Sequence, residues 1–322
     1  MSPVLFVVIP CYNEEAVLPE TRKRLADKLD RMTKGGVISP DSRVLMVDDG
    51  SRDKTWQLIE DFYQQDKRFG GIKLAHNRGH QHALLAGLMT ANGHCDCAIS
   101  MDADLQDDIE VMDQFIQKYQ EGCEVVYGVR KKRTTDTAFK RNTAQAFYKF
   151  MNKMGAKVVY NHADYRLLGS RALEALSEYR EVNLFLRGIV PDIGYKTAVV
   201  YYDRAERFAG ESKYPLSKMI GLAVDGITSF SIRPLETIVK AGALISFLCI
   251  LALIASLILA ICHVGFSGWM ALVASIWLIG GIVMTSVGIV GIYVGKAYGE
   301  SKHRPRWHIE KQLLDTGEEK NS

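Results

Sequence analysis

The amino-acid sequence predicts an α/β domain built on a mostly parallel sheet, followed by an apolar hairpin long enough to cross a membrane. Short apolar runs alternate with helical stretches through the first half of the chain, which is typical of parallel α/β sheets. No Asp, Glu, Lys or Arg occurs from Ala241 to Gly295, although the preceding residues are rich in all four. Polar motifs also follow several of the apolar runs, at the point where such sheets bind ligands.

Five strands and four helices are predicted from these patterns. The apolar runs predict strands at Leu5–Ile9, Arg43–Val47, Gly71–Leu74, Cys97–Met101 and Val125–Val129. The stretches between them predict helices at about Glu15–Met32, Lys54–Gln65, Gln81–Ala91 and Ile109–Glu121. Because each helix returns the chain to a parallel strand, we expect the polar motifs to lie together at one edge of the sheet.

The charge-free run is too long for a single membrane helix. A helix rises about 1.5 Å per residue, so about 20 residues cross the hydrocarbon core. His263 and Gly265 interrupt the run near its middle, so we expect one helix at about residues 238–262 and a second at about 269–295. The alternative is a hairpin buried in a soluble core, which a run of this length disfavours.

The charges around the hairpin predict its orientation. The connecting loop contains no Lys or Arg. Basic residues lie at both outer ends of the hairpin: Arg233, Lys240, Lys296, Lys302, Arg304 and Arg306. Basic flanks mark the cytoplasmic side, so we expect both termini and the large domain in the cytoplasm, on the cytoplasmic membrane. The N-terminus has no basic region before a long apolar run, so no signal peptide is expected.

The chain therefore divides into four segments: a soluble domain at residues 1–213, a juxtamembrane region at 214–235, the hairpin at 236–296 and a cytoplasmic tail at 297–322. In the juxtamembrane region, apolar residues recur near helical spacing with Lys213 and Lys218 nearby. This pattern favours an amphipathic helix lying on the inner leaflet over a helix packed on the soluble domain.

The net charge and the cysteines disfavour two other kinds of protein, a nucleic-acid binder and a disulfide- or zinc-stabilised domain. The formal net charge of +3 is too small to indicate a nucleic-acid partner. The six cysteines lack the spacing of a disulfide framework or a zinc site, so ordinary reduced thiols are expected.

Asp102 and Asp104 directly follow the fourth predicted strand. Side chains alternate along a strand, so carboxylates two residues apart point to the same side. Converging carboxylates repel unless a cation joins them, and Mg²⁺ or Mn²⁺ prefers such oxygen ligands together with substrate phosphates. Asp-x-Asp is common by itself, but at a strand end it indicates a metal site when other polar strand ends lie beside it.

Two other strands end in polar motifs. The first runs into Pro10-Cys11-Tyr12-Asn13-Glu14-Glu15, and the second into Val47-Asp48-Asp49-Gly50-Ser51. Taken alone, either motif is also explained by a strand ending in a turn or a helix cap.

Together the motifs VVIPCYNEE, VDDGSRDKT, HNRGHQHALLAGL and MDADLQDD resemble the family 2 inverting glycosyltransferases with a GT-A fold. The similarity covers roughly Val4 to Arg233 and is strongest for the branch that glycosylates polyprenyl phosphates. That branch includes bactoprenol glucosyltransferases and dolichol-phosphate mannose synthases, and the two-helix tail favours the bactoprenol type. The resemblance implies a GT-A nucleotide-sugar-binding domain with a Rossmann-like sheet.

The resemblance also implies roles for individual residues. Those expected to line the nucleotide pocket are Pro10, Tyr12, Glu14, Asp49 and Asp102, with Arg78 in a loop that borders it. Asp104 and Gln106 are expected to hold the divalent metal on the donor diphosphate. Asp102, Asp104 and Asp164 form the implied catalytic set.

The acceptor side is expected in the second half of the domain. A basic stretch at Arg130–Arg133 is followed by Lys140 and Arg141, and a guanidinium matches phosphate oxygens in a fork. A solvated charge run is the alternative, whereas the resemblance implies that Arg130 and Arg141 grip the lipid phosphate. A later loop with Arg207, Ser212 and Lys213 is implied to neutralise the departing nucleotide.

Asp164 matches the acidic residue that many family members use as a base. A phosphate monoester has its second pKa near 6, so the acceptor is largely ionised without help. We therefore expect Asp164 to orient the sugar or the acceptor, with base action only at lower pH.

The expected reaction is inverting transfer of a hexose, from UDP-glucose or a related UDP-sugar, to undecaprenyl phosphate for cell-envelope glycan modification. The alternatives are transfer from GDP-mannose and a non-catalytic nucleotide-sugar-binding scaffold. A processive polysaccharide synthase is disfavoured, because Arg306-Trp307 follows the hairpin and lacks the preceding Gln of that class. The resemblance also implies assembly as a homo-oligomer, namely a tetramer.

Overall fold

The computed structural model describes residues 2–130, 162–181, 186–203 and 268–314, with five isolated helical positions between 238 and 251. Several predictions lie outside these residues. They are the amphipathic helix, most of the first membrane helix, and the site residues Arg141, Arg207, Ser212 and Lys213.

Within the described ranges, eight strands form one sheet in the order β7-β5-β6-β4-β1-β2-β3-β8. The strands are β1 Leu5–Cys11, β2 Arg43–Asp48, β3 Phe69–Leu74, β4 Cys97–Ser100, β5 Val125–Arg130, β6 His162–Gly169, β7 Thr197–Tyr202 and β8 Ile309–Leu313. Six strands share one direction, while β6 and β8 run antiparallel to their neighbours. The predicted mostly parallel α/β sheet is confirmed.

The helices are α1 Leu18–Lys34, α2 Thr55–Gln65, α3 His80–Ala91, α4 Met112–Gln120, α5 Ser170–Glu178, α6 Leu186–Asp192 and α7 Gly268–Ser301. A short 3-10 turn at Ile109–Val111 leads into α4. The five strands and four helices predicted for the first half are confirmed, with bounds that agree within about three residues.

The core lies on both faces of the sheet. Side chains of β1 alternate between two clusters: Leu5, Val7 and Ile9 pack with α1, α2 and α4, whereas Phe6 and Val8 pack with α3, α5 and α6. All seven residues of β1 are buried, as expected for a central strand covered by helices on both faces. This rigid centre fixes the strand ends that carry the polar motifs.

The longest described helix is α7, whose 34 residues span about 51 Å at 1.5 Å per residue. Within its part from Leu278 to Ser301, an 18-residue stretch has a mean hydropathy of 2.0 and contains no buried residues. One helix in the described ranges is therefore long and apolar enough to cross a membrane. The second helix of the predicted hairpin is thus present as a helix.

The segment after α7 returns to the domain. β8 pairs antiparallel with β3, and ion pairs of 3.1 Å join Lys73 to Glu310 and Glu60 to Lys311. Arg306 Nη1 donates to the carbonyl oxygen of Tyr179 at 2.7 Å. Part of the segment expected to be a tail is therefore the edge strand of the sheet.

Candidate active site

The loops after β1 and β2 are fastened to each other at the carboxyl end of the sheet. The backbone N–H of Asn13 donates to Ser51 Oγ at 2.9 Å, and Asn13 Oδ1 accepts from the backbone N–H of Arg52 at 2.8 Å. The N–H of Glu14 donates to Thr55 Oγ1 at 2.9 Å. These bonds hold Tyr12 and Glu14, both partly exposed, at the rim of the sheet.

Asp49 anchors the loop between β3 and α3. It is only 2 % exposed, and its two carboxylate oxygens accept from the backbone N–H groups of Arg78 at 2.7 Å and Gly79 at 2.9 Å. Burial raises the pKa of Asp49, although these two bonds act in the opposite direction. The buried carboxylate of Asp49 therefore fixes the backbone of this loop, and the Arg78 side chain is exposed.

Gly50 makes this arrangement possible. Its φ is +68°, and a Cβ at this position would lie 2.7 Å from the backbone nitrogen of Asn77. A side chain here would meet both the steric penalty of a left-handed backbone and a clash with the loop that Asp49 holds.

His80 brings two carboxylates from different strands to one point. As the first residue of α3, it places Nε2 at 3.6 Å from Asp102 Oδ1 and 3.7 Å from Asp164 Oδ2. Asp102 follows β4 and Asp164 lies in the neighbouring β6. The N-terminal end of α3 also carries a partial positive charge that favours anions at this position.

Asp104 lies in a tight turn directly after Asp102. Leu105 has a φ of +57°, and Asp104 Oδ1 accepts from the backbone N–H of Gln106 at 3.2 Å. In the described part of the chain, no group of three or more His, Cys, Asp or Glu side chains is placed to hold a metal. One or two carboxylates still fit Mg²⁺ or Mn²⁺, because such ions complete their coordination with water and substrate phosphates.

Behind this turn, Asp107 is buried beside Tyr202 and Arg130. The Tyr202 hydroxyl donates to Asp107 Oδ1 at 2.5 Å, Arg130 Nε donates to the Tyr202 oxygen at 3.4 Å, and Arg130 Nη2 is 3.9 Å from Asp107. Burial and then the charge of Asp102 raise the pKa of Asp107 to about 6. The Arg130 guanidinium thus contacts β7 and the Asp-x-Asp loop.

Asp164 is held by two arginines. Arg166, which is 1 % exposed, donates through Nη2 to Asp164 Oδ1, and Arg187 donates through Nε at 3.2 Å and Nη2 at 3.0 Å. Burial by itself would raise the pKa of Asp164, but the charges of Arg187 and Arg166 outweigh it and place that pKa well below its ordinary value. Asp164 is therefore an ionised carboxylate and a weak base at neutral pH.

The comparison with known proteins decides the family. Residues 6–176 match the family described as Glycosyl transferase family 2. The chain belongs to glycosyl transferase family 2. An uncharacterized glycosyltransferase of Bacillus subtilis (strain 168), YkoT, is 51% identical over 314 residues, covering 98% of this chain and 93% of the relative. The bactoprenol glucosyl transferase of Shigella phage SfV is 37% identical over 311 residues, covering 95% and 98%.

The fold agrees with this membership. The crystal structure of mannosyl-3-phosphoglycerate synthase from Rubrobacter xylanophilus superposes with a TM-score of 0.50 at 13% identity, covering 70% of this chain and 73% of that one. At this identity the likeness concerns the fold alone, and it agrees with the expected GT-A-like architecture.

In this family 2 glycosyltransferase, the structure gathers most of the predicted site at the carboxyl edge of the sheet. Pro10 is buried within β1, with its backbone opposite Val47. The predicted residues that lie in the described loops and strand ends at this edge are Tyr12, Glu14, Asp49, Arg78, Asp102, Asp104, Gln106, Arg130 and Asp164.

Three residues of this glycosyltransferase site were not singled out from the sequence. His80 lies inside the motif HNRGHQHALLAGL and Arg166 lies two residues after Asp164, but neither position shows which carboxylates these side chains contact. Arg187 lies 23 residues beyond Asp164, and its only signal is a single arginine within the apolar stretch from Leu184 to Val190.

Proposed function

We propose that this family 2 glycosyltransferase transfers a hexose, from UDP-glucose or a related UDP-sugar, to undecaprenyl phosphate with inversion at the anomeric carbon. The observation that carries the proposal is the meeting of Asp102 and Asp164 at His80, where a donor-side and an acceptor-side carboxylate flank one point. The lipid acceptor is supported by full-length relatives named bactoprenol glucosyl transferases and by the exposed apolar helix α7.

The donor binds at the loops after β1, β2 and β3. Tyr12 and Glu14 on one side and the loop that Asp49 holds on the other border the nucleotide. Asp104, with Asp102 and Gln106, would hold Mg²⁺ or Mn²⁺, which would neutralise charge on the donor diphosphate. In this arrangement the carboxylate of Asp102, 38% exposed, faces the substrate side.

The acceptor phosphate enters from the side of Asp164. At neutral pH this phosphate is mostly ionised, so Asp164 orients reactants rather than removing a proton. A phosphate oxygen forms a bond to the anomeric carbon as the bond from that carbon to the nucleoside diphosphate breaks. A single displacement of this kind converts an α-linked donor into a β-linked lipid phosphosugar.

Cations from the second half of the domain complete the site in this proposal. Arg130 and Arg141 bind the acceptor phosphate, and Arg207, Ser212 and Lys213 neutralise the leaving diphosphate. Of these five, Arg130 is within the described residues, where it lies at the end of β5.

The proposed location is the cytoplasmic face of the cytoplasmic membrane. We propose a two-helix hairpin at residues 236–296, preceded by the amphipathic helix at 214–235, with both termini and the domain at 1–213 in the cytoplasm. Support comes from β8, which pairs with β3 and so keeps the C-terminal end of α7 on the same side as the sheet.

The test is turnover by membranes that contain the full chain. They are incubated with undecaprenyl phosphate and a panel of UDP- and GDP-sugars, and the lipid product is detected by mass. We expect product from a UDP-hexose, loss of product with a metal chelator and recovery on adding Mg²⁺ or Mn²⁺. Asp102→Asn should abolish product while Asp61→Asn, an exposed carboxylate on α2, should not. Product from GDP-mannose alone would favour the mannose alternative, and no product from any donor would refute the proposal.

A further inference from the structure

The start of α6 is connected to the candidate site by four hydrogen bonds. The backbone N–H of Leu186 donates to Gln81 Oε1 at 2.9 Å, and its carbonyl oxygen accepts from Arg166 Nη1 at 3.3 Å. The next residue, Arg187, donates twice to Asp164. The first turn of α6 is therefore fixed by its backbone on one side and contacts Asp164 on the other.

These contacts link helices and strands that are far apart in the sequence. Gln81 directly follows His80 on α3, Arg166 and Asp164 lie in β6, and Arg187 lies on α6. Arg166 joins both ends of the chain of contacts, because it donates to Leu186 through Nη1 and to Asp164 through Nη2. The orientation of the Asp164 carboxylate thus depends on where α6 begins.

Two arginines compensate the charge on Asp164, and Arg187 lowers its pKa more than Arg166 does. Arg166 is buried against Asp164 and already compensates one negative charge. The Arg187 side chain is 32% exposed, and it contacts both carboxylate oxygens. A guanidinium that contacts both oxygens restricts rotation of the carboxylate, which a single contact does not do.

We propose that Arg187 is a positioning residue for the sugar transfer: it fixes the carboxylate of Asp164 in the orientation that the reaction needs. Gln81 acts one step further out, by holding the first residue of α6. This inference rests on the proposed function and deepens it on the acceptor side.

A charge argument supports the same inference. The groups that face Asp164 are Arg166 from its own strand, Arg187 from α6 and His80 from α3, and Asp102 lies near the same Nε2 atom of His80. Without Arg187, burial would act on Asp164 with less compensation, so its pKa would rise. On acidification, Asp164 would then become protonated at a higher pH than in the unchanged chain.

The test compares Arg187→Gln, Arg187→Lys and Gln81→Leu in the full chain, with undecaprenyl phosphate and the donor found active. The matched controls are Arg171→Gln on α5, where the arginine is 66% exposed, and Gln57→Leu on α2, an exposed position. We expect Arg187→Gln to lower kcat about 10- to 100-fold, from the loss of charge-assisted bonds, with KM for the donor changed less than about threefold. Arg187→Lys should recover part of the loss, and the controls should match the unchanged chain.

Two further readouts separate positioning from a general structural effect. In an Asp164→Asn background, Arg187→Gln should lower kcat less than about threefold, because both substitutions remove the same contact. The acid limb of the rate profile should move to higher pH in Arg187→Gln and stay in place in Arg171→Gln. If Arg187→Gln does not fold, Arg187→Lys and Gln81→Leu supply the same comparisons.

An unchanged kcat in Arg187→Gln, or a loss that adds fully to that of Asp164→Asn, would overturn the positioning role while the transfer reaction stands. Absence of product from the unchanged chain with every donor would overturn both, since the inference depends on the reaction.

Discussion

Replacing Asp164 by Asn tests how the acceptor side of the site works. The substitution keeps the shape of the side chain and removes its charge, so Arg166 and Arg187 lose their anionic partner. Arg166 is the critical one, because it is 1 % exposed and cannot turn to solvent. An exposed carboxylate on α6, Asp192, provides the matched control Asp192→Asn.

The expected cost follows from burial. Breaking a buried ion pair by removing one partner costs about 3–5 kcal/mol, since the other charge is left uncompensated. The Arg187 contact adds little to this figure, because that side chain is partly solvated. For a domain of this size, a loss of about 3–5 kcal/mol lowers Tm by roughly 6–20 °C. We expect Asp192→Asn to change Tm by less than about 2 °C.

The pH dependence has a definite sign. The depressed pKa of Asp164 means that its stabilising contribution is present above the ordinary carboxyl pKa of about 4 and is lost as pH falls through the lower folded-state value. Between pH 6 and 9 the carboxylate stays ionised, so both the loss of Tm and the loss of kcat in Asp164→Asn should be constant. Thermal unfolding in detergent and product formation across this range measure the two quantities. A kcat deficit that disappears at high pH would show that Asp164 acts as a base, and a Tm within about 2 °C of the unchanged chain would refute the ion-pair argument.

Two other substitutions and one truncation test the frame around the site. Gly50→Ala should lower the free energy of unfolding, measured with denaturant, by about 2–4 kcal/mol. The control Gly36→Ala should lower it by only about 1–2 kcal/mol, because Gly36 has the same φ of +68° but no atom within 4 Å of the position that a Cβ would take. Equal losses would show that the close approach to Asn77 does not matter. In Asp49→Asn the side chain can accept from only one of the two backbone N–H groups, so KM for the donor should rise about 5- to 10-fold. The control Asp41→Asn should leave KM unchanged. An unchanged KM in Asp49→Asn would contradict the anchoring role. Removing residues 309–322 uncovers β3 and should lower stability by about 2 kcal/mol, measured as a shift in the denaturant midpoint; no shift would mean that β8 does not stabilise the sheet.

The sequence predicts the elements whose pattern is local. β1, β2 and β4 are short apolar runs bounded by polar turns, and their length and flanking residues favour a buried strand over a buried helix. β8 is different: its sequence, Ile-Glu-Lys-Gln-Leu, is largely polar, which suits an edge strand but does not distinguish it from a loop. β6 has both charged and apolar residues, because it carries the site as well as the core.

The candidate site divides in the same way. Asp102 and Asp104 were predicted as a metal site because carboxylates that follow a parallel strand lie where such sheets bind ligands. The place of Asp49 at the nucleotide pocket was implied by the family resemblance. The contacts of His80 and Arg187 could not be predicted, since they depend on which helix ends lie opposite β6. The sequence also does not show that Asp49 binds backbone N–H groups, because that contact depends on the conformation of the loop after β3.

The register of β8 connects the apolar helix α7 to the candidate site. Ile309, the first residue of β8, pairs with Leu74 at the carboxyl end of β3, and the N–H of Ala75 donates to the carbonyl oxygen of His308 at 3.0 Å. The chain that leaves α7 therefore reaches the sheet at the same edge as the loop held by Asp49. About 20 residues cross the hydrocarbon core, so the 34 residues of α7 extend beyond it. If α7 spans the membrane, this connection places the carboxyl edge of the sheet towards the membrane surface, which is where an acceptor with a buried lipid chain presents its phosphate.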